Sequence, residues 1–122
     1  MRSRSSFVAV LALAAVGTLG CPSPSTATGA GRPVAGAEAH RLVAAGAVLV
    51  DVRSPDEFAA GHNDGARNIP VDELSSRLGE LPRDHPVIVY CHSGHRSHQA
   101  AGILGAAGYD VRDLGAMDAW NR

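Results

Sequence analysis

The chain of 122 residues has no lysine, only two cysteines, and no apolar run long enough to cross a bilayer comfortably. All 11 of its basic side chains are therefore arginines, and they form no basic stripe, which argues against nucleic acid as a partner. The longest uncharged apolar run, Phe7 to Leu19, follows Arg2 and Arg4 and suits the core of a secretory signal better than a membrane span. The formal net charge is −1, and removing the two leader arginines takes it to −3. An anionic substrate would thus have to be drawn by a local field and not by the global charge. The length and the 45% hydrophobic content allow one small domain.

The leader ends in Thr18-Leu19-Gly20-Cys21, which resembles a bacterial lipoprotein signal, in which the cysteine becomes the lipidated first residue of the mature chain. The resemblance implies export and a lipid anchor at Cys21, with the domain held at a membrane of the cell envelope. Ordinary signal cleavage near Ala27 to Ala30, giving a soluble periplasmic or secreted protein, and an uncleaved anchor are the alternatives. The stretch from Pro22 to Gly31 is rich in Pro, Ser, Thr and Gly and cannot build a core, so it reads as a tether. The expected organisation is a signal over 1–20, a flexible tether over 21–33 and a folded domain over 34–122.

Within the domain, apolar strand-like runs alternate with helical patterns. A helix over 37–45 is predicted to end at Gly46, followed by a buried strand over 47–52. Ser54-Pro55-Asp56-Glu57 is a capping box with Pro at the first helical position, opening a short helix that carries Phe58 and stops at Gly61. A short strand over 66–69, a helix over 71–78, a central strand over 86–90, a helix opening with Ser97 as its cap and closing at Gly108, and a last strand over 109–114 complete the pattern. Ile103, Leu104 and Ala107 would face the core from that last helix. Strands alternating with helices imply an α/β three-layer sandwich around a mostly parallel sheet, with ligands at the carboxyl ends of the strands. Asp51 and Cys91 both fall there.

Cys91 is placed where the central strand ends. If Cys21 is acylated, Cys91 has no partner within the chain, and an exported protein with one unpaired thiol is unusual. The commonest fate of a lone cysteine is inert packing in a core, but the flanking Ser93, Gly94 and Arg96 do not belong to a packed interior. In a sharp strand-to-helix turn, with Gly94 supplying backbone freedom, several N–H groups can converge on the sulfur. The helix dipole and Arg96 would then favour the thiolate. This reading requires the thiol to be open to solvent with the amides facing it; a sealed thiol would leave an inert domain.

Val48 to Arg53, followed by Glu57-Phe58, Gly61-His62, Gly65-Ala66 and Asn68-Ile69-Pro70, resembles the front signature of the rhodanese family of sulfurtransferases. Cys91-His92-Ser93-Gly94-His95-Arg96-Ser97 resembles its active-site loop, and Gly115 to Trp120 its closing segment. The resemblance runs from about Val34 to the end. It implies a single-domain, monomeric enzyme without cofactor, in which Cys91 takes the outer sulfur of a donor such as thiosulfate as a persulfide. The sulfur then passes to an acceptor such as cyanide or a thiol. The amides of His92, Ser93, Gly94, His95, Arg96 and Ser97 would hold the anionic terminal sulfur. A sulfane-sulfur or metal carrier with little turnover is the rival reading. Four residues separate Cys91 from Arg96, one fewer than in the related phosphatases and arsenate reductases, so the loop suits sulfur better than a tetrahedral oxyanion. Asn63, where the family usually has an apolar residue, and Ala116, in place of a common second glycine, are the two departures. Asn63 is expected to loosen the loop after the second helix.

Other polar residues have two readings each. Arg96 would bind the donor's sulfonate end, the favoured reading because an Arg fork suits an oxyanion, or only stiffen the loop. Asp51 and Arg53 would form a fold-holding ion pair or take a catalytic part, with the ion pair favoured. Glu57 reads as a helix-capping carboxylate, and His62 as a partner for backbone beside Gly61. His92, His95 and His98 beside Cys91 invite a metal reading, but only His98 is expected on the helix, and exposed imidazoles are the simpler reading, so no metal is expected. Trp120 is expected to seal the core.

Overall fold

The computed structural model describes residues 31–122, and the signal and Cys21 lie outside them. In chain order the elements are β1 (Arg32–Pro33), α1 (Gly36–Ala44), β2 (Val48–Asp51), α2 (Pro55–Ala60), β3 (Arg67–Asn68), β4 (Val87–Cys91), α3 (His95–Ala106) and β5 (Val111–Ala116). Short 3₁₀ turns stand at Leu74–Ser76, Leu78–Glu80 and Met117–Asn121. The five strands form one all-parallel sheet in the order β1-β5-β4-β2-β3.

β4 lies at the centre of the sheet, and all five of its residues are buried. Because side chains alternate along a strand, Val87, Val89 and Cys91 join one core cluster with Ala100, Ala101 and Leu104 of α3. Ile88 and Tyr90 face the other way, packing with Ala39 of α1, Leu114 and Trp120. The two clusters make this the expected α/β sandwich, with α3 covering one face of the sheet and α1 with the Trp120 turn covering the other. Ile103 and Ala107 pack against the α3-side cluster as expected, although only Leu104 among the three is fully buried.

Three expectations need correction. The helix over 71–78 is replaced by two 3₁₀ turns. Val71 N–H is drawn to Val52 O at 3.1 Å, and successive three-residue turns (Arg77 N–H to Leu74 O at 3.0 Å, Leu81 N–H to Leu78 O at 3.1 Å) bury Leu74 and Leu81. The helix after the cysteine starts at His95 and not at Ser97, with Gly94 as its cap in the left-handed conformation, φ 102°. Ser97 sits buried inside the first turn and its hydroxyl donates to Gly94 O at 3.0 Å. Finally, Arg32 and Pro33, inside the expected tether, pair with Arg112 and Asp113 of β5. A proline is tolerated there because β1 is an edge strand.

Candidate active site

With the helix starting early, only His92, Ser93 and Gly94 separate Cys91, the last residue of β4, from α3. The positive φ of Gly94 makes so tight a reversal possible, since a side chain is strained in that region. Gly94 N–H donates to Cys91 Sγ at 3.0 Å. The rim of the turn is fastened to the neighbouring strand: Ala116 of β5 lies beside Cys91 in register and also makes an isolated bridge to Ser93.

Of the six amides expected to converge on the sulfur, only that of Gly94 bonds it. His95, Arg96 and Ser97 occupy the first turn of α3, where N–H groups have no partner within the helix. The thiol is also not open: Cys91 is 1% exposed. Ending a fully buried strand, the side chain points into the core beneath its own loop, and the Gly, Ser and Arg that follow belong to the cover. The imidazoles of His92, His95 and His98 are exposed, as expected, although His95 as well as His98 lies on the helix. Among the described residues, no three His, Cys, Asp or Glu side chains gather as a metal-binding set.

Arg96 is held from the side. Its Nη1 and Nη2 donate to Glu57 Oε1 and Oε2 at 2.7 and 3.0 Å. Glu57 serves the expected capping box at the same time, because its backbone N–H donates to Ser54 Oγ at 3.3 Å and Oε1 accepts from Ser54 Oγ at 3.1 Å. One carboxylate thus ties the start of α2 to the start of α3, and Arg96 stiffens the loop through it. The Arg96 hydrogen bonds, assisted by Ser54, lower the Glu57 pKa to about 2. The guanidinium's own pKa is raised, first by the same hydrogen bond.

The folded-state pKa lies below the ordinary value of 4.5, so the stabilisation from this latch is whole above 4.5 and fades as pH falls toward about 2. Both side chains are about a third exposed, so the contribution is expected to stay within about 1 kcal/mol. E57Q keeps a capping residue while removing the charge. Denaturant unfolding should show a stability gap between wild type and E57Q at neutral pH that closes at low pH. A gap of the same size at both would contradict the latch.

Asp51 and Arg53 form the expected ion pair, at 0% and 5% exposed. Arg53 donates to the Asp51 carboxylate through its backbone N–H at 2.9 Å, Nε at 3.0 Å and Nη2 at 2.6 Å, and Nη2 also reaches Gly61 O at 2.7 Å. The hydrogen bond it donates to the Asp51 carboxylate is the main cause of the raised Arg53 pKa. Every contact is directed into the β2–α2 corner, as befits a fold-holding pair. His62 likewise bonds backbone, its Nδ1 lying 3.0 Å from Phe58 O while its ring stacks on Phe58.

Asn63 does not loosen its loop. It is 6% exposed, its N–H donates to Tyr90 Oη at 3.0 Å, and its Nδ2 donates to Met117 O at 3.2 Å, so it pins the segment after α2 to the central strand and to the closing turn. Neither this tie nor the Glu57–Arg96 latch was anticipated. The partners are 54 and 39 residues apart, and only the oddity of a polar residue at position 63 pointed to either. Trp120 is buried as expected, and its carbonyl accepts from His40 Nε2 at 2.8 Å in the matching tautomer.

A family model described as rhodanese-like domain matches residues 36–122, nearly the whole described chain. The chain belongs to the rhodanese family. The thiosulfate sulfurtransferase GlpE of Stutzerimonas stutzeri is 40% identical over 85 residues, 68% of this chain and 78% of that protein. A sulfurtransferase of Allochromatium vinosum is 42% identical over 77 residues, 62% and 72% of the two chains. The crystal structure of a rhodanese-related protein from Thermoplasma volcanium superposes with a TM-score of 0.66 at 30% identity, covering 74% of this chain and 90% of the other. This rhodanese-like domain therefore has single-domain sulfurtransferases among its relatives.

Proposed function

We propose that this domain is a sulfurtransferase that moves a sulfane sulfur from a donor such as thiosulfate to a thiophilic acceptor through a persulfide on Cys91. Thiolate Sγ attacks the outer sulfur of thiosulfate, the donor's S–S bond breaks, and sulfite leaves with the electron pair. Cyanide or a thiolate then attacks the terminal sulfur, and the pair returns to Sγ. Dividing the transfer through a covalent intermediate replaces one difficult displacement with two easier ones.

The observation that carries the proposal is the Gly94 N–H on Cys91 Sγ at the end of β4, directly ahead of α3. The first turn of α3, whose amides lack partners within the helix, follows the cysteine turn directly, and those amides with the positive end of the helix dipole would favour an anionic terminal sulfur. With Cys91 1% exposed, loading requires the segment 92–94 to yield, so small donors are favoured.

The same burial supports a second reading, a carrier that holds sulfane sulfur with little turnover. Steady-state incubation with thiosulfate and cyanide separates the two. Thiocyanate released in many-fold excess over protein is the expected result. Release of one equivalent or less, with a one-sulfur adduct stable on Cys91, would support the carrier, and no release with no adduct would overturn both.

A further inference from the structure

The turn that covers Cys91 stands between two walls of unlike build. On one side is α3, a helix of 12 residues held to the sheet by the buried Ser97, Ala100, Ala101 and Leu104. On the other is the end of β5: Ala116 pairs with Cys91 and bridges Ser93, and a Cβ placed on Gly94 would lie 3.6 Å from Gly115 Cα. This second wall is the weaker one. It belongs to a strip, 115–119, in which no residue is fully buried, running between the buried Leu114 and Trp120. Among the described residues before β5, only Asn63 bonds the strip through its side chain, Nδ2 donating to Met117 O at 3.2 Å.

We infer that Asn63 is a positioning residue that holds the β5 wall against the cysteine turn and thereby sets how often Sγ becomes accessible. Access precedes any reaction of the thiol, so only the consequence for turnover rests on the sulfurtransferase reading above.

With Cys91 1% exposed, every reagent must wait for the cover to part. Local openings are drawn from segments with little buried surface, which selects the 115–119 strip over α3. Movement of Ala116 away from Ser93 draws Met117, the next residue, away from Asn63. Asn63 does not follow, because it is 6% exposed and its backbone N–H is bound to Tyr90 Oη at 3.0 Å. Its side-chain bond therefore exists in the closed form and is lost in the open one, and a bond made in one state alone shifts the population toward that state. The family usually carries an apolar residue at this position, which can make no such bond.

The test is alkylation of the full chain by iodoacetamide, a small neutral probe, with modification mapped to Cys91. N63L removes the side-chain donor and keeps the backbone tie to Tyr90. It is expected to alkylate about three- to tenfold faster than wild type, the factor that one net hydrogen bond is worth. In low urea this rate should stay nearly flat, because a local opening exposes little surface. Y109F is the control: it deletes the bond from Tyr109 Oη to Leu78 O, at 2.6 Å, ahead of the opposite end of β5, and should alkylate at the wild-type rate.

An unchanged or slower rate in N63L, an equal acceleration in Y109F, or a rate that climbs with urea as steeply as global unfolding would overturn the inference. In sulfur transfer, N63L is expected to raise kcat/KM for thiosulfate by the same factor as alkylation, whereas a merely structural role would leave it unchanged or lower it. Faster alkylation in a protein that never takes up sulfur would sink only the sulfurtransferase reading.

Discussion

Substitution of Cys91 by serine is expected to lower thiosulfate-to-cyanide sulfur transfer by roughly a thousandfold or more, with the fold retained. The effect is large because the nucleophile carries the transferred atom, so its loss removes the intermediate and not merely one stabilising contact. The fold should tolerate the change. Serine is slightly smaller, and its hydroxyl can accept the Gly94 N–H that now reaches Sγ at 3.0 Å, leaving no orphaned donor in a site 1% exposed. Steady-state thiocyanate release and thermal unfolding of C91S check the two halves. Turnover within tenfold of wild type would show that Cys91 is the packing residue its burial alone suggests.

The largest effect on stability is expected at Asp51. D51A leaves the Arg53 guanidinium, 5% exposed, without the carboxylate that accepts from its Nε and Nη2. Breaking a buried pair from one side costs about 3–5 kcal/mol, a large share of what a small domain has. Replacing both partners by apolar residues removes the stranded charge, so D51L/R53M should be more stable than D51A despite carrying one more substitution. Chemical denaturation of the three proteins decides this. D51A within about 1 kcal/mol of wild type, or a double variant less stable than D51A, would contradict the account of this corner.

The elements legible in the sequence are those whose causes are local. The apolar runs around Val50 and Val89 predicted β2 and β4 because buried parallel strands are apolar on both faces. The capping box at Ser54 and the Asp51–Arg53 pair were readable because their partners lie within three residues. The start of α3 was misplaced because Ser97 offers a local capping signal, while the positive φ of Gly94 that turns the chain earlier leaves no mark beyond the glycine itself. The span 71–78 has helical spacing, but Val71 is claimed by Val52, just past the end of β2, and the turn tightens to 3₁₀. β1 is two residues long and owes its form to β5.

At the site, the position of Cys91 at a strand end was legible, but its burial was not. Loop-like flanking residues argued for exposure, whereas the direction of the side chain is set by strand alternation and by where α3 lands. Arg96 shows the same limit: the loop sequence reads as an anion grip, and only the fold brings Glu57 across to occupy it.

The central claim is that the buried thiol of Cys91 accepts a sulfur atom, and intact-mass measurement after incubation with thiosulfate tests it most directly. The account predicts a gain of one sulfur atom, mapped to Cys91 by peptide fragmentation, lost on adding cyanide and absent in C91S. A thiol that stays unmodified under conditions where a related sulfurtransferase is loaded would contradict it.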